Sequence, residues 1–136
     1  MLAVGDVAHG VTTAPYEDEA ARRAFAASVY VITYEFENVP TSALDLLEAL
    51  RPIRPNRRAL SVSQDRISEK SFLNDLGLQT APWAAVNSEA DLRTAADKLG
   101  LPAILKTTRM GYDGKGQVKL EAGADLPAAW ASMAHA

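Results

Sequence analysis

Between Lys106 and Gln117 the chain reads KTTRMGYDGKGQ, with glycine at 111, 114 and 116 and cations at 106, 109 and 115. Glycine backbones turn tightly, approach a ligand closely and aim free N–H groups at anionic oxygens. If Lys106, Arg109 and Lys115 converge, they supply the positive charge that phosphoryl oxygens require. The same residues also make an ordinary hairpin turn with lysines on a wet surface and Asp113 as a turn former. A phosphate loop of the Walker type would need serine or threonine after Gly-Lys, and here Gly114-Lys115 is followed by Gly116 and then Gln117. A dinucleotide fingerprint would need a helix after the glycines, whereas Gln117 to Leu120 reads as a strand. A flap between two antiparallel strands suits the pattern better. Lys106 lies in an otherwise apolar, strand-like run, so it stands on a solvated face or is aimed at an anion.

Other chemistry-bearing residues are scattered. Glu35 and Glu37 alternate with Tyr34 and Phe36 near the end of an apolar run. The carboxyl end of a buried strand is where α/β sites gather, so Glu35 is a substrate-side candidate; otherwise both acids mark the strand's solvated end. Arg66, at a helix start, has Asp65 and Glu69 within reach as simple surface partners. His9 and His135 have no ligand partners at useful spacing. The absence of cysteine excludes disulfides, thiolate chemistry and zinc-thiolate sites.

These residues need elements to hold them, and the order reads as alternating strand and helix. An alanine-rich helix follows Tyr16 and ends near Ala27, with acids at its start. VYVITYEF, Val29 to Phe36, predicts a buried strand of a parallel sheet. Thr41 is placed to cap a helix carrying Leu44, Leu47 and Leu50. RPIRPNRR, Arg51 to Arg58, predicts an extended connector and the boundary between units 1–58 and 59–136. Its arginines suit a solvated face or a phosphate clamp. Gln64 to Leu76 predicts a helix with Ile67, Phe72 and Leu76 on one side and Gly77 as its stop. TAPWAAV leads to a short strand, with Trp83, like Phe72, expected in the core. Ser88 and Asp91 predict a capping box for a helix buried through Leu92, Ala95, Ala96 and Leu99. PAILKTT and Gln117 to Leu120 are the strands that flank the glycines, and a last helix starts at Asp125 with Pro127 in its first turn.

The 136 residues suffice for a real core and carry 14 basic against 17 acidic side chains, a formal charge of -3. That balance gives no bulk case for nucleic acid. No stretch reaches the roughly 18 apolar residues of a membrane span. Met1 to Val4 run straight into Gly5 and Asp6, so no signal peptide is expected and a soluble, cytoplasmic protein is the default expectation.

VITYEFENVP (Val31 to Pro40), QDRISEKSFLNDLGLQTAPW (Gln64 to Trp83) and LPAILKTTRMGYDGKGQ (Leu101 to Gln117) together closely resemble 5-(carboxyamino)imidazole ribonucleotide synthase, an ATP-grasp ligase of purine biosynthesis. The resemblance implies an α/β fold: part of a parallel-sheet pre-ATP-grasp domain, then the first part of an α+β ATP-grasp domain. It implies carboxylation of 5-aminoimidazole ribonucleotide by bicarbonate, driven by ATP through carboxyphosphate, with magnesium beside the phosphates. It implies that Arg66 contacts the nucleotide and Lys106 reaches the phosphates. Gly111, Tyr112, Asp113, Gly114, Lys115, Gly116 and Gln117 would form the loop that closes over ATP, and complete relatives would pair as homodimers.

Several family features have no counterpart. Thr108 stands where a second arginine is common. No Gly-x-Gly-Gln-Leu-Gly turn precedes the first strand, and the adenine hinge and acidic magnesium ligands of the family's later segments do not appear. The expectation is therefore an internal fragment, inactive alone, whose magnesium ligands lie in a missing C-terminal part. The alternative expectation is a non-catalytic nucleotide-binding module or one completed by a partner.

Overall fold

The structure, a computed structural model, describes Gly5 and residues 7–111 and 114–133. The chain divides into two compact units, Met1–Ser61 and Val62–Ala136, somewhat beyond the 58/59 boundary expected from the connector.

In the first unit, α1 (Glu19–Ser28) is capped by Asp18, whose carboxylate accepts the Ala21 N–H at 2.9 Å. It packs on α2 (Thr41–Leu50), which buries Ala43, Leu44 and Leu47. Thr41 does not cap α2. Pro40 takes that position without a side-chain bond, its carbonyl accepting the Ala43 N–H, and Thr41 is the first helical residue. Ala26, Ile32, Val39, Leu44, Leu47, Ile53 and Leu60 form one apolar cluster. Burying each large member stabilises the unit by about 1.5–3 kcal/mol relative to exposure.

The strand expected over Val29 to Phe36 is reduced to a single parallel bridge, Ile32 to Ile53. The Ile32 N–H donates to Pro52 O and the Arg54 N–H donates to Ile32 O. The preceding rung, toward Tyr30, would need an N–H at residue 52, which proline lacks. Tyr30, at 96% exposure, and the exposed Val31 and Phe36 show that the apolar run is not buried on both faces.

The connector is extended only in part, because Arg57 and Arg58 begin α3 (Arg57–Ser63). Three of its four arginines have partners within the unit. Arg51 donates to the Val29 and Leu50 carbonyls, Arg54 to the Ile53 carbonyl, and Arg57 pairs with Asp45 at 2.8 Å.

The second unit begins with α4 (Arg66–Asp75), capped by Asp65, which accepts the Ser68 N–H. None of its residues is fully buried. Ile67 and Phe72 are half-buried and Leu76 is exposed, so the expected core side of this helix is a shallow one. The strand expected in TAPWAAV does not form, and no described strand pairs with it. Trp83, expected in the core, is half-buried and donates its indole N–H to Asn74 Oδ1 at 3.0 Å.

Helix α5 (Glu89–Leu99) starts as anticipated, with Ser88 Oγ accepting the Asp91 N–H. The Asp91 carboxylate reaches back to the Asn87 N–H, one residue before the reciprocal partner of a capping box. Leu92 and Ala95 are buried, Ala96 is half-buried and Leu99 is exposed. Strands β1 (Ala103–Lys106) and β2 (Gln117–Leu120) pair antiparallel, with Ala103 opposite Leu120 and Lys106 opposite Gln117. Helix α6 (Leu126–Met133) follows, and Asp125 accepts the Ala128 N–H. Period-two alternation sends Leu105 and Leu120 inward to join Leu92 and Ala129, and leaves Ile104 and Lys106 outward. Among the described residues no helix is long and apolar enough to cross a membrane.

Candidate functional site

The outer face of β1 forms one wall of an open cleft of about 970 Å³ within the second unit. Lys106 and Ile104 line it from the strand, Arg66 and Lys70 from α4, Trp83 from the segment that follows, and Arg109 from the strand exit. Four cations, Arg66, Lys70, Lys106 and Arg109, and one acid, Glu69, are the charged residues of the cleft, while Ile104 and Trp83 offer apolar surface. An anion and a flat ring are the two chemistries such a wall accommodates.

Three contacts tie the exit of β1 to the start of α4. The Arg66 N–H donates to Thr108 O at 2.9 Å and Arg66 Nη2 donates to Gly111 O at 3.3 Å. Arg109 Nη2 donates to Gln64 Oε1 at 2.9 Å, and Gln64 is 5% exposed. Arg66 therefore anchors the loop instead of pairing with Asp65, which caps α4. Of the three cations whose convergence the sequence raised, Lys106 and Arg109 share the cleft. Lys115 is exposed in the turn and does not line it.

Gly111, Gly114, Gly116 and Gln117 stand beyond the cleft wall, in the neck and turn of the hairpin. Space and backbone angle call for glycine at one neck position, Gly116, and space is tight at another, Gly111. A Cβ on Gly116 would lie 2.5 Å from Thr107 Oγ1, at a backbone φ of +65°. A Cβ on Gly111 would meet Thr107 Oγ1 at 3.1 Å and Lys115 O at 3.2 Å. The Thr107 N–H closes the neck by donating to Gly116 O at 2.8 Å. Tyr112, Asp113 and His135 lie outside the described residues.

Glu35 belongs to the other unit. It lines a separate hollow of about 400 Å³ with Tyr16, Arg22, Tyr34 and Phe36, and its side chain is exposed. Among the described residues no three His, Asp or Glu side chains are grouped to hold a metal ion. The described residues thus do not fit a magnesium site.

Sequence reasoning passed over Gln64 and Thr107. Gln64 opens a helical block, where a polar residue draws no notice. Thr107 carried a readable signal: two residues after inward-facing Leu105, it is due on the same inward side.

Residues 2–64 match the ribonucleotide synthetase preATP-grasp domain, and residues 71–136 match the ATP-grasp domain. Fold and site thus define an ATP-grasp protein, with part of its preceding domain attached. An N5-carboxyaminoimidazole ribonucleotide synthase of Brucella melitensis is 51% identical over 114 residues, which are 84% of this chain and 32% of that one. The structure of the Staphylococcus aureus N5-carboxyaminoimidazole synthetase complexed with ADP superposes with a TM-score of 0.88 at 37% identity, covering 96% of this chain and 35% of that one. The Aspergillus clavatus N5-carboxyaminoimidazole synthase in complex with ADP and 5-aminoimidazole ribonucleotide gives 0.79 at 25% identity, over 95% and 34%. These likenesses run along 84% to 96% of this chain, which spans about a third of the length of the curated relatives it matches.

Proposed function

We propose that this chain supplies one wall of the nucleotide site of an ATP-dependent ligase, the enzyme that carboxylates 5-aminoimidazole ribonucleotide with bicarbonate in purine synthesis. The observation that carries the reading is the placement of Lys106 and Arg66 in one cleft beside a glycine neck that Arg66 itself holds. Relatives that share this fold carry ADP, and one carries 5-aminoimidazole ribonucleotide as well.

In this reading Lys106 faces the phosphates from the strand, and its charge offsets the charge that develops on the transferring phosphoryl group. Arg66 acts first on the loop, fixing its entry, and offers its remaining N–H groups to the nucleotide. The turn from Gly111 through Tyr112, Asp113, Gly114, Lys115 and Gly116 to Gln117 covers the nucleotide and keeps water from a labile carboxyphosphate. Glu35, at the rim of its own hollow, serves the ribonucleotide side. Magnesium takes its ligands from outside the described residues, residues 1–58 and 59–136 are the two domain portions, and the complete enzyme is a cytoplasmic homodimer.

The chain alone is expected to bind ADP and to turn over no ATP in the presence of 5-aminoimidazole ribonucleotide and bicarbonate. Calorimetric titration with ADP and a phosphate-release assay test both statements. No saturable ADP binding would overturn the nucleotide reading, and robust turnover would overturn the statement that the chain is inactive alone.

A further inference from the structure

Thr107 Oγ1 is buried and has no hydrogen-bond partner among the described residues. The surroundings are built around it nonetheless: Gly116 and Gly111 both turn bare Cα atoms toward it, at the spacings given above. The Thr107 backbone N–H meanwhile ties β1 to Gly116 across the neck. A valine would fill the same volume without stranding a polar atom, so packing alone does not account for a hydroxyl here. Lys115 O is an acceptor in the same neighbourhood: a Cβ built on Gly111 would meet both it, at 3.2 Å, and Thr107 Oγ1, at 3.1 Å.

We infer that Thr107 is a positioning residue of the nucleotide site, whose hydroxyl donates to the Lys115 carbonyl when a bound polyphosphate engages the glycine neck. A partner gained only in the liganded arrangement gives ligand binding a differential free energy between two states of the neck. It also orients the residue that directly follows Lys106. This inference rests on the nucleotide reading of the cleft.

The test compares the 136-residue chain with T107V and T107S, by thermal melting without ligand and by calorimetric titration with ADP. T107V is expected to melt at or above the wild-type temperature, since it removes a stranded hydroxyl. Its affinity for ADP is expected to fall roughly three- to tenfold, the size of one lost net hydrogen bond. T107S, which keeps the hydroxyl, is expected to recover most of that affinity. A purely structural threonine would move melting and affinity in the same direction. T107V binding ADP as the wild type does, or melting well below it without ligand, would overturn this inference alone. A wild-type chain that binds no ADP would overturn the nucleotide reading, and this inference with it.

Discussion

Replacing Gly116 with alanine isolates the contact on which the neck is built. Two costs add at this position. A residue with a Cβ at φ +65° is held in the left-handed region at about 1–2 kcal/mol. The new Cβ would also lie 2.5 Å from Thr107 Oγ1, so the threonine must leave its rotamer, at about 0.5–1.5 kcal/mol. Together they give roughly 1.5–3.5 kcal/mol. For a unit the size of Val62–Ala136 this lowers the melting temperature by roughly 6–28 °C. Urea denaturation followed by tryptophan fluorescence reads it cleanly, because both tryptophans, Trp83 and Trp130, lie in that unit. Gly123 is the internal control. It has φ +80° with nothing within 4 Å, so Gly123→Ala carries only the backbone cost, about 1–2 kcal/mol. Adding Thr107→Ala to Gly116→Ala should return the steric part and leave the backbone part. If G116A is no worse than G123A, or the double variant is merely additive, the neck is not packed as described.

Lys106→Met should leave the melting temperature of the ligand-free chain within a degree or two of wild type, because Lys106 is exposed; ADP affinity by calorimetry should fall at least about tenfold, as expected for a lost charged contact. Leu44→Ala, at a position 2% exposed, should destabilise the first unit by about 2–4 kcal/mol, measured by circular dichroism in urea. Ser88→Ala removes the acceptor of the Asp91 N–H and should cost about 1 kcal/mol in the tryptophan-monitored urea transition.

Local signals were the most legible. Asp18, Ser88 and Asp125 each accept an N–H at the helix start where the sequence places an acid or hydroxyl. The glycine flap lies between antiparallel strands because residues on either side of a short turn can pair without any distant partner. Readings that depended on distant neighbours fared worse. Val29 to Phe36 has the residues of a buried strand, yet only one bridge forms, and Pro52 has no N–H to donate to the rung before it. TAPWAAV likewise has strand composition and no strand beside it. Composition describes what a segment would do given a partner; whether one stands alongside is a tertiary fact. The site divides the same way. Lys106 stood out as a charge in an apolar run, whereas the bond between Arg109 and Gln64 joins residues 45 apart and left no local trace.

This chain is proposed to form the Lys106 wall of a working N5-carboxyaminoimidazole ribonucleotide synthase. The direct measurement replaces the matched third of the Brucella melitensis synthase with this chain and assays phosphate release dependent on 5-aminoimidazole ribonucleotide. The hybrid is expected to turn over within about tenfold of its parent, and the same hybrid carrying Lys106→Met to lose about a hundredfold or more, the scale for removing a charge-stabilising group from a transition state. A folded hybrid with no substrate-dependent turnover, or one indifferent to the loss of Lys106, would contradict the account.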